Sequence, residues 1–256
     1  MKQRLNNIYL LLKFYLKVVS LLKNSNIYNI SIFNFKNWHH GYAYFYGFKE
    51  NKKVFIKVDT KFLLLQNDLL VYQLANEKLK NYLLNIEDSI FSKNLQIIIY
   101  EFLDFTELSV DILENNRSII NTMLDMINTL NDLEIIHRDI KLDNFIFVNN
   151  ELKIIDFTFA ISNNKALGFK DLERNINNCA TLEFLGDGLN PEPFVWNDYY
   201  ALSRLFNLQL DRLDVNSKIQ TFKINCPKIY FKIRNIKIII KKLLGIDITY
   251  RELKNG

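Results

Sequence analysis

The stretch IIHRDIKLDNFIF, Ile135 to Phe147, decides how this chain is read, together with IIDFTF, Ile154 to Phe159. The first sets a His, an Arg, an Asp, a Lys and an Asn between apolar runs; the second sets one more Asp between apolar runs. Upstream, SIINTMLDMINTLNDL (118–133) places Ile119, Ile120, Met123, Leu124, Ile127 and Leu130 on one face of a helix. Downstream, NFIFV and LKIIDF read as two short strands around the turn NNE. A hairpin after a long helix brings Asp139, Asn144 and Asp156 into one neighbourhood. Two carboxylates and an amide oxygen are hard donors that suit Mg²⁺, and a magnesium ion of this kind bridges phosphates.

Working outward, residues 30–58 are rich in aromatic and β-branched types, and KKVFIKV alternates with period two. Val54, Ile56 and Val58 face one way; Phe55 and Lys57 face the other. Lys57 is the kind of residue that anchors phosphates from an opposite wall. Residues 61–84 carry Leu at helical spacing and read as a helix. NLQIIIYEFLDF reads as a buried strand followed by an irregular segment, 160–192 has few regular signals, and helix resumes near Asp198. Strands come first with one helix among them, then mostly helices, which is an α+β pattern.

On these residues the chain resembles the protein-kinase superfamily over nearly all its length after residue 30. HRDIKLDN resembles the catalytic loop His-Arg-Asp-x-Lys-x-x-Asn. The resemblance implies a bilobal kinase-like fold: a 1–27 amphipathic helical segment, then a 28–256 domain with a small β-rich N-lobe (about 28–103) and a mainly helical C-lobe (about 104–256). It implies that Asp139 is the catalytic base, that Lys141 contacts the γ-phosphate of ATP, and that Asn144 and Asp156 hold Mg²⁺. VFIKV resembles the strand bearing the ATP-anchoring lysine, here Lys57. YEFLDF resembles the hinge over the adenine, so backbone groups from Glu101 to Leu103 would bind the base. TLEFLGDGLNPE resembles the stretch that precedes the helical half, matching Thr181, Glu183, Phe184, Leu185, Pro191 and Glu192, with GDGL as extra residues. Arg251 in LLGIDITYREL would then pair with Glu192 in a buried salt bridge. Asp198 would support the catalytic loop.

The chain departs from the family pattern at several points. Counting back from Lys57 puts Ala43 at the usual Val and Gly41 at the third glycine of the Gly-rich loop. The first two glycines fall at Lys36 and Trp38, so phosphate contact there would pass to Lys36, His39 or His40. Thr158 stands where Asp-Phe-Gly has its glycine, which implies constitutive rather than loop-switched activity. Two acidic partners for Lys57 are open. Glu77 lies at the usual protein-kinase separation and is preferred; Asp68 lies where several small-molecule and lipopolysaccharide kinases carry their acidic residue.

Composition narrows the partners. The 256 residues are 49% hydrophobic with a formal net charge of +5, and no basic block interleaved with aromatics marks a nucleic-acid stripe. Two cysteines without metal-ligand spacing suit a reducing, cytoplasmic compartment. The N-terminal MKQRLNNIYLLLKFYLKVVSLLK is too broken by Lys13 and Lys17 for a spanning helix or a signal peptide. It reads as an amphipathic helix with Leu11, Tyr15, Val18 and Leu22 on one face, packed on its own domain or lying peripherally on the inner face of a membrane. Three functions stay open: a Ser/Thr-type protein kinase, a carbohydrate kinase acting on lipopolysaccharide or another surface glycan, and a pseudokinase binding module. Oligomeric state is not legible.

Overall fold

The computed structural model describes residues 2–35, 38, 41–108, 117–162, 179, 182–183, 185–186, 188–207, 221–224 and 228–245. The chain divides into two compact units: Met1–Glu107 with Ile146–Thr158, and Leu108–Phe145 with Phe159–Gly256. The fold is α+β, as the order of sequence patterns predicts.

In the first unit, helix α1 (Lys2–Asn24) leads into strands β1 (Ile27–Phe33), β2 (Tyr42–Lys49) and β3 (Lys52–Asp59). Helices α2 (Gln66–Leu74) and α3 (Glu77–Lys80) follow, then β4 (Ile86–Ser92), β5 (Leu95–Glu101) and β6 (Phe105–Glu107). Strands β1 to β5 form one antiparallel sheet in the order β1-β2-β3-β5-β4. The β2–β3 turn is two residues long because Glu50 and Asn51 both take positive φ, which matches the twist of the flanking strands.

Alternation sorts the sheet into two faces. Ala43, Phe45, Val54, Ile56, Val58, Ile97 and Ile99 share the first, and Val18 and Leu22 of α1 close it. Each of these two helix residues is at most 1% exposed, a burial worth about 1.5–3 kcal/mol apiece. Leu11 and Tyr15 pack against the same cluster, so the helix face expected from the sequence is the one that docks. Trp38 also fills this core, with its ring 5.2 Å from that of Phe45 and its indole N–H donating to the Phe33 carbonyl at 3.0 Å. The other face carries Tyr42, Ile98 and Tyr100 with Leu65, and Tyr44 and Phe55 pack at its edge.

The single helix expected over 61–84 is broken. Ala75 is extended at ψ 127°, and Asn76 caps α3 by accepting the Leu79 N–H. An Asn side chain that satisfies a new helix start competes with continuation of the old one.

In the second unit, helix α4 (Arg117–Asp132) precedes strand β7 (Ile135–Ile136). Ile119, Met123, Leu124, Ile127 and Leu130 of α4 are buried as the sequence pattern requires. A 3₁₀ turn (Leu142–Asn144) feeds β8 (Phe145–Val148), whose residues 146–148 pair with β6 in the first unit's small sheet beside β9 (Glu151–Ile154). The β8–β9 turn again uses two positive-φ residues, Asn149 and Asn150. A second 3₁₀ turn (Phe157–Phe159) leads to β10 (Ile161–Ser162), which pairs with β7. Strand β11 (Val195–Trp196), helix α5 (Asp198–Leu205), strand β12 (Phe222–Lys223) and helix α6 (Lys228–Leu243) complete the unit. Helices α4 and α5 are linked by the Tyr199 hydroxyl donating to Asn128 Oδ1 at 2.8 Å.

Candidate functional site

Two polar clusters carry the chemistry, one in each unit. In the first unit Lys57 is buried on β3, and Asp156 sits just past β9 with a left-handed φ of 66°. Left-handed backbone at a non-glycine residue is uncommon and tends to mark functional sites. Lys57 Nζ donates to Asp156 Oδ1 at 2.7 Å and to Thr158 Oγ1 at 2.8 Å, and lies 3.9 Å from Asp68 Oδ2. The Thr158 hydroxyl is 2.6 Å from Asp156 Oδ1 and 3.3 Å from Asp68 Oδ2, so its one proton serves the two carboxylates in turn. Asp68 also accepts the Phe157 N–H at 2.9 Å, and Asn67 donates to the Thr158 carbonyl at 2.9 Å. Two consecutive residues of α2 thus clamp the segment after Asp156. The Tyr100 hydroxyl adds a hydrogen bond to Asp68.

The electrostatics follow from burial and from these partners. Burial pulls Lys57 down, but the carboxylates of Asp156 and Asp68 together outweigh it, and its pKa ends above the ordinary lysine value. Burial pushes the Asp68 carboxyl up, against the opposing pull of Lys57. Tyr44 is pushed up to about 12, first by burial, with Lys57 opposing.

These contacts correct one expectation. Lys57 pairs with Asp68 and not with Glu77, which is exposed at the start of α3. The break at Ala75 and Asn76 is the reason, since it detaches Glu77 from the helix that faces β3. Ala43 is corrected as well: it lies on the α1 face of the sheet, opposite to Lys57. Tyr44 stands across from Lys57 in register, and the Tyr42 ring centroid is 5.5 Å from Nζ. Gly41 has φ 95°, and its carbonyl accepts from the Thr60 N–H at 3.0 Å and hydroxyl at 2.9 Å. A Cβ there would meet Lys61 Cβ at 2.4 Å, so close packing against the end of β3 demands a glycine. Trp38 is a core residue, and Lys36, His39 and His40 lie outside the described residues.

At the end of β5, the Glu101 N–H donates to the Asn85 carbonyl at 3.0 Å, and Glu101 Oε1 accepts the Asn85 N–H at 3.0 Å. The Phe102 N–H donates to the Lys53 carbonyl at 3.3 Å. Leu103 follows, half-buried, in irregular backbone.

The second unit holds the residues of the HRDIKLDN stretch. Asp198, first residue of α5, accepts the N–H groups of His137 at 2.6 Å and Arg138 at 3.0 Å, as the resemblance implies. Burial raises the Asp198 carboxyl, opposed by His137 and by those two backbone bonds. Arg138 has φ 69°, donates through Nε to the Phe159 carbonyl at 2.7 Å, and stacks over Trp196 at 4.8 Å. Asp139 follows on this braced loop and is buried. Its Oδ2 accepts from Lys141 Nζ at 2.7 Å and from Asn144 Nδ2 at 3.1 Å. Its Oδ1 accepts the Gly186 N–H at 3.1 Å. Asn144 Nδ2 is also 2.7 Å from the Asp139 carbonyl, which turns its amide oxygen the other way.

The expected Glu192–Arg251 pair reaches beyond the described residues: Arg251, like Thr181 and Phe184, lies outside them, and Glu192 is exposed. Among the described residues, Glu183 forms a buried pair with Arg234 Nε of α6 at 2.9 Å, joined by the Tyr230 hydroxyl donating to Glu183. Burial, then Glu183, raises the Tyr230 pKa.

Among the described residues no group of three or more His, Cys, Asp and Glu gathers as a metal cluster. Each unit offers one hard oxygen donor of the kind Mg²⁺ takes: Asp156 a carboxylate on a one-third-exposed side chain in the first, Asn144 an amide oxygen in the second. Sequence reasoning missed Thr158 as a hydrogen-bonding hub, Asn67 as a clamp, Gly186 as a donor to Asp139, and the two tyrosines beside Lys57. The tyrosines were signalled by strand parity once β2 and β3 are set in register.

The protein kinase domain family model matches residues 48–186, more than half of the 256-residue chain. A kinase domain of known crystal structure aligns with TM-score 0.42 and 15% identity, over 66% of this chain and 61% of that one. The chain therefore spans about 61% of the length of that structural relative. No curated protein matches the sequence. The matched region runs from the end of β2 to Gly186 and holds Lys57, Asp139, Asn144 and Asp156, and the chain belongs to the protein kinase domain family.

Proposed function

We propose that the chain is an ATP- and Mg²⁺-dependent phosphotransferase that moves the γ-phosphoryl group to a hydroxyl, that of a Ser or Thr side chain in a protein. The observation that carries this reading is the fixed carboxylate of Asp139, with a lysine and an amide on one oxygen and a backbone N–H on the other. Asp139 accepts the proton of the attacking hydroxyl, and Lys141 offsets charge on the moving phosphoryl group. Lys57 anchors the phosphates, held ready by Asp68 and Thr158. The Leu103 N–H and the carbonyls around Glu101 bind the base. Asn144 and Asp156 would hold Mg²⁺, which when bound neutralises phosphate charge.

A second reading, a saccharide hydroxyl as acceptor in surface-glycan synthesis, is favoured by one observation. Lys57 takes Asp68 as its acidic partner, at the position where small-molecule kinases resembling this chain carry theirs. Helix α1 suits a cytoplasmic protein touching the inner membrane face, since Leu12 and Leu16 are each 78% exposed.

The test is transfer of labelled phosphate from ATP to a panel of Ser/Thr peptides and core saccharides, with Asp139→Asn as the blank. Transfer to peptides that the blank abolishes is the expected result, and transfer to saccharides alone establishes the second reading. ATP binding without transfer would leave a pseudokinase, and neither binding nor transfer sinks both enzyme readings.

A further inference from the structure

Helix α6 has two opposed apolar sides. One is the buried seam of Tyr230 and Arg234, continued by half-buried Ile238 and Lys241. The other is exposed. Ile233 is 38% exposed, Ile236 55%, Ile240 48% and Leu243 81%. They follow one another at helical spacing, so they form a single stripe along the axis. Ile239 at 55% and Leu244 at 67% widen it. Single exposed apolar residues need no explanation, but a contiguous stripe marks a surface that something else covers.

The charges beside the stripe identify what covers it. At 100° per residue, Lys237 borders one side of the stripe, Lys232 sits within its other margin between Ile239 and Leu243, and Lys242 lies beyond Ile239; all three are exposed. No Asp or Glu occurs between Asp214 and Asp247, a span that contains the whole helix. The apolar residues of the stripe are all Ile and Leu, with no Trp, Tyr or Arg of the kind that anchors protein interfaces and no ring on which a base could stack. Lysines flanking aliphatic side chains can lay their stems along an apolar phase and keep the ammonium groups at its polar boundary. A helix with one apolar stripe, cationic flanks and no carboxylate has the character of one that lies in a bilayer interface. No helix among the described residues is long and apolar enough to cross a membrane, so the contact is peripheral.

We infer that α6 docks this unit on an anionic bilayer surface, with Ile233, Ile236, Ile240 and Leu243 at the acyl boundary and Lys232, Lys237 and Lys242 among anionic headgroups. This surface stands apart from the residues of the proposed reaction and independently of that reading. It also differs from α1, where exposed Leu12 and Leu16 form a separate candidate.

The experiment is sedimentation of the full chain with vesicles of neutral phosphatidylcholine, and with vesicles carrying a third phosphatidylserine, at low and high salt. Three forms are compared with the parent: Ile236→Ser/Ile240→Ser/Leu243→Ser, Lys232→Glu/Lys237→Glu/Lys242→Glu, and Leu12→Ser/Leu16→Ser. The substituted positions are exposed, and a far-ultraviolet circular dichroism melt checks that each variant folds. The expected result is binding to anionic vesicles that weakens with salt. It should fall at least tenfold in the aliphatic variant and about a hundredfold in the charge variant, while the α1 variant retains it. The inference is overturned by equal binding to neutral and anionic vesicles, by α6 variants that bind like the parent, or by no binding at all. It is equally overturned if the stripe proves to hold two copies together, seen as a dimer by light scattering that the aliphatic variant dissociates while vesicle binding persists.

Discussion

Asp68→Asn, set beside Glu77→Gln, separates the two candidate partners of Lys57. In the structure the Lys57 ammonium lies 3.9 Å from Asp68, which is buried, whereas Glu77 is exposed on a different helix. At an effective dielectric constant near 20, a unit charge pair at 3.9 Å has a Coulomb energy of about 4 kcal/mol. Part of this is replaced after substitution, because Asp156 stays 2.7 Å from the same ammonium and Asn still hydrogen-bonds. We therefore expect Asp68→Asn to lose about 2–4 kcal/mol of phosphate positioning, or roughly 30- to 1000-fold in kcat/KM for ATP. Without the Asp68 charge, Lys57 is drawn onto Asp156, while the amide oxygen of the substituted side chain can still accept the Phe157 N–H. Glu77→Gln should change the same parameter less than twofold. The assay is steady-state ATP turnover, with calorimetric binding of Mg-ATP as a second readout. A large loss in Glu77→Gln with little in Asp68→Asn would refute the assignment and the reasoning from the break at Ala75.

Three further outcomes follow from the geometry. Arg234→Met leaves the buried Glu183 carboxylate without its cation and should cost about 3–5 kcal/mol in urea unfolding; Glu183→Leu/Arg234→Met should recover most of that, and a double variant no better than the single would contradict it. Thr158→Val keeps the shape but removes the hydroxyl bridging Lys57, Asp68 and Asp156, so kcat should fall about tenfold or more, with Thr158→Ser near the parent; equal kcat in Thr158→Val would sink the role. Asp68 has a folded pKa raised mainly by burial, so the folded state keeps a proton that the unfolded chain sheds above about pH 4. Stability from this group is greatest at low pH and falls as pH rises through the raised pKa, so the stability of Asp68→Asn relative to the parent should improve with pH across that window; urea midpoints showing the opposite slope would refute the sign.

Much of the candidate site is legible in the sequence because its parts are local. From Ile135 to Asn144 part of the geometry is local: Asn144 reaches back to Asp139, and Lys141 lies two residues from its partner. The alternation of VFIKV already assigns Lys57 to the face opposite Val54 and Ile56, and the α1 face built on Val18 and Leu22 follows from helical spacing. These inferences need only periodicity and short chain separations.

What the tertiary structure alone decided are partnerships between distant segments. Asp68 and Glu77 are equally acidic and both sit in helical sequence, and the choice turned on an Asn cap that splits the helix between them. Glu183 meets the buried Arg234 because Tyr230 and Arg234 present their side chains to it from one seam of α6. Tyr44 rather than Ala43 stands beside Lys57 because a shift of one residue on a strand moves a side chain to the opposite face of the sheet. Residue types and spacing fix which groups are available for chemistry. Register, helix breaks and burial fix which of them meet, since each depends on packing energies summed over segments far apart in the chain.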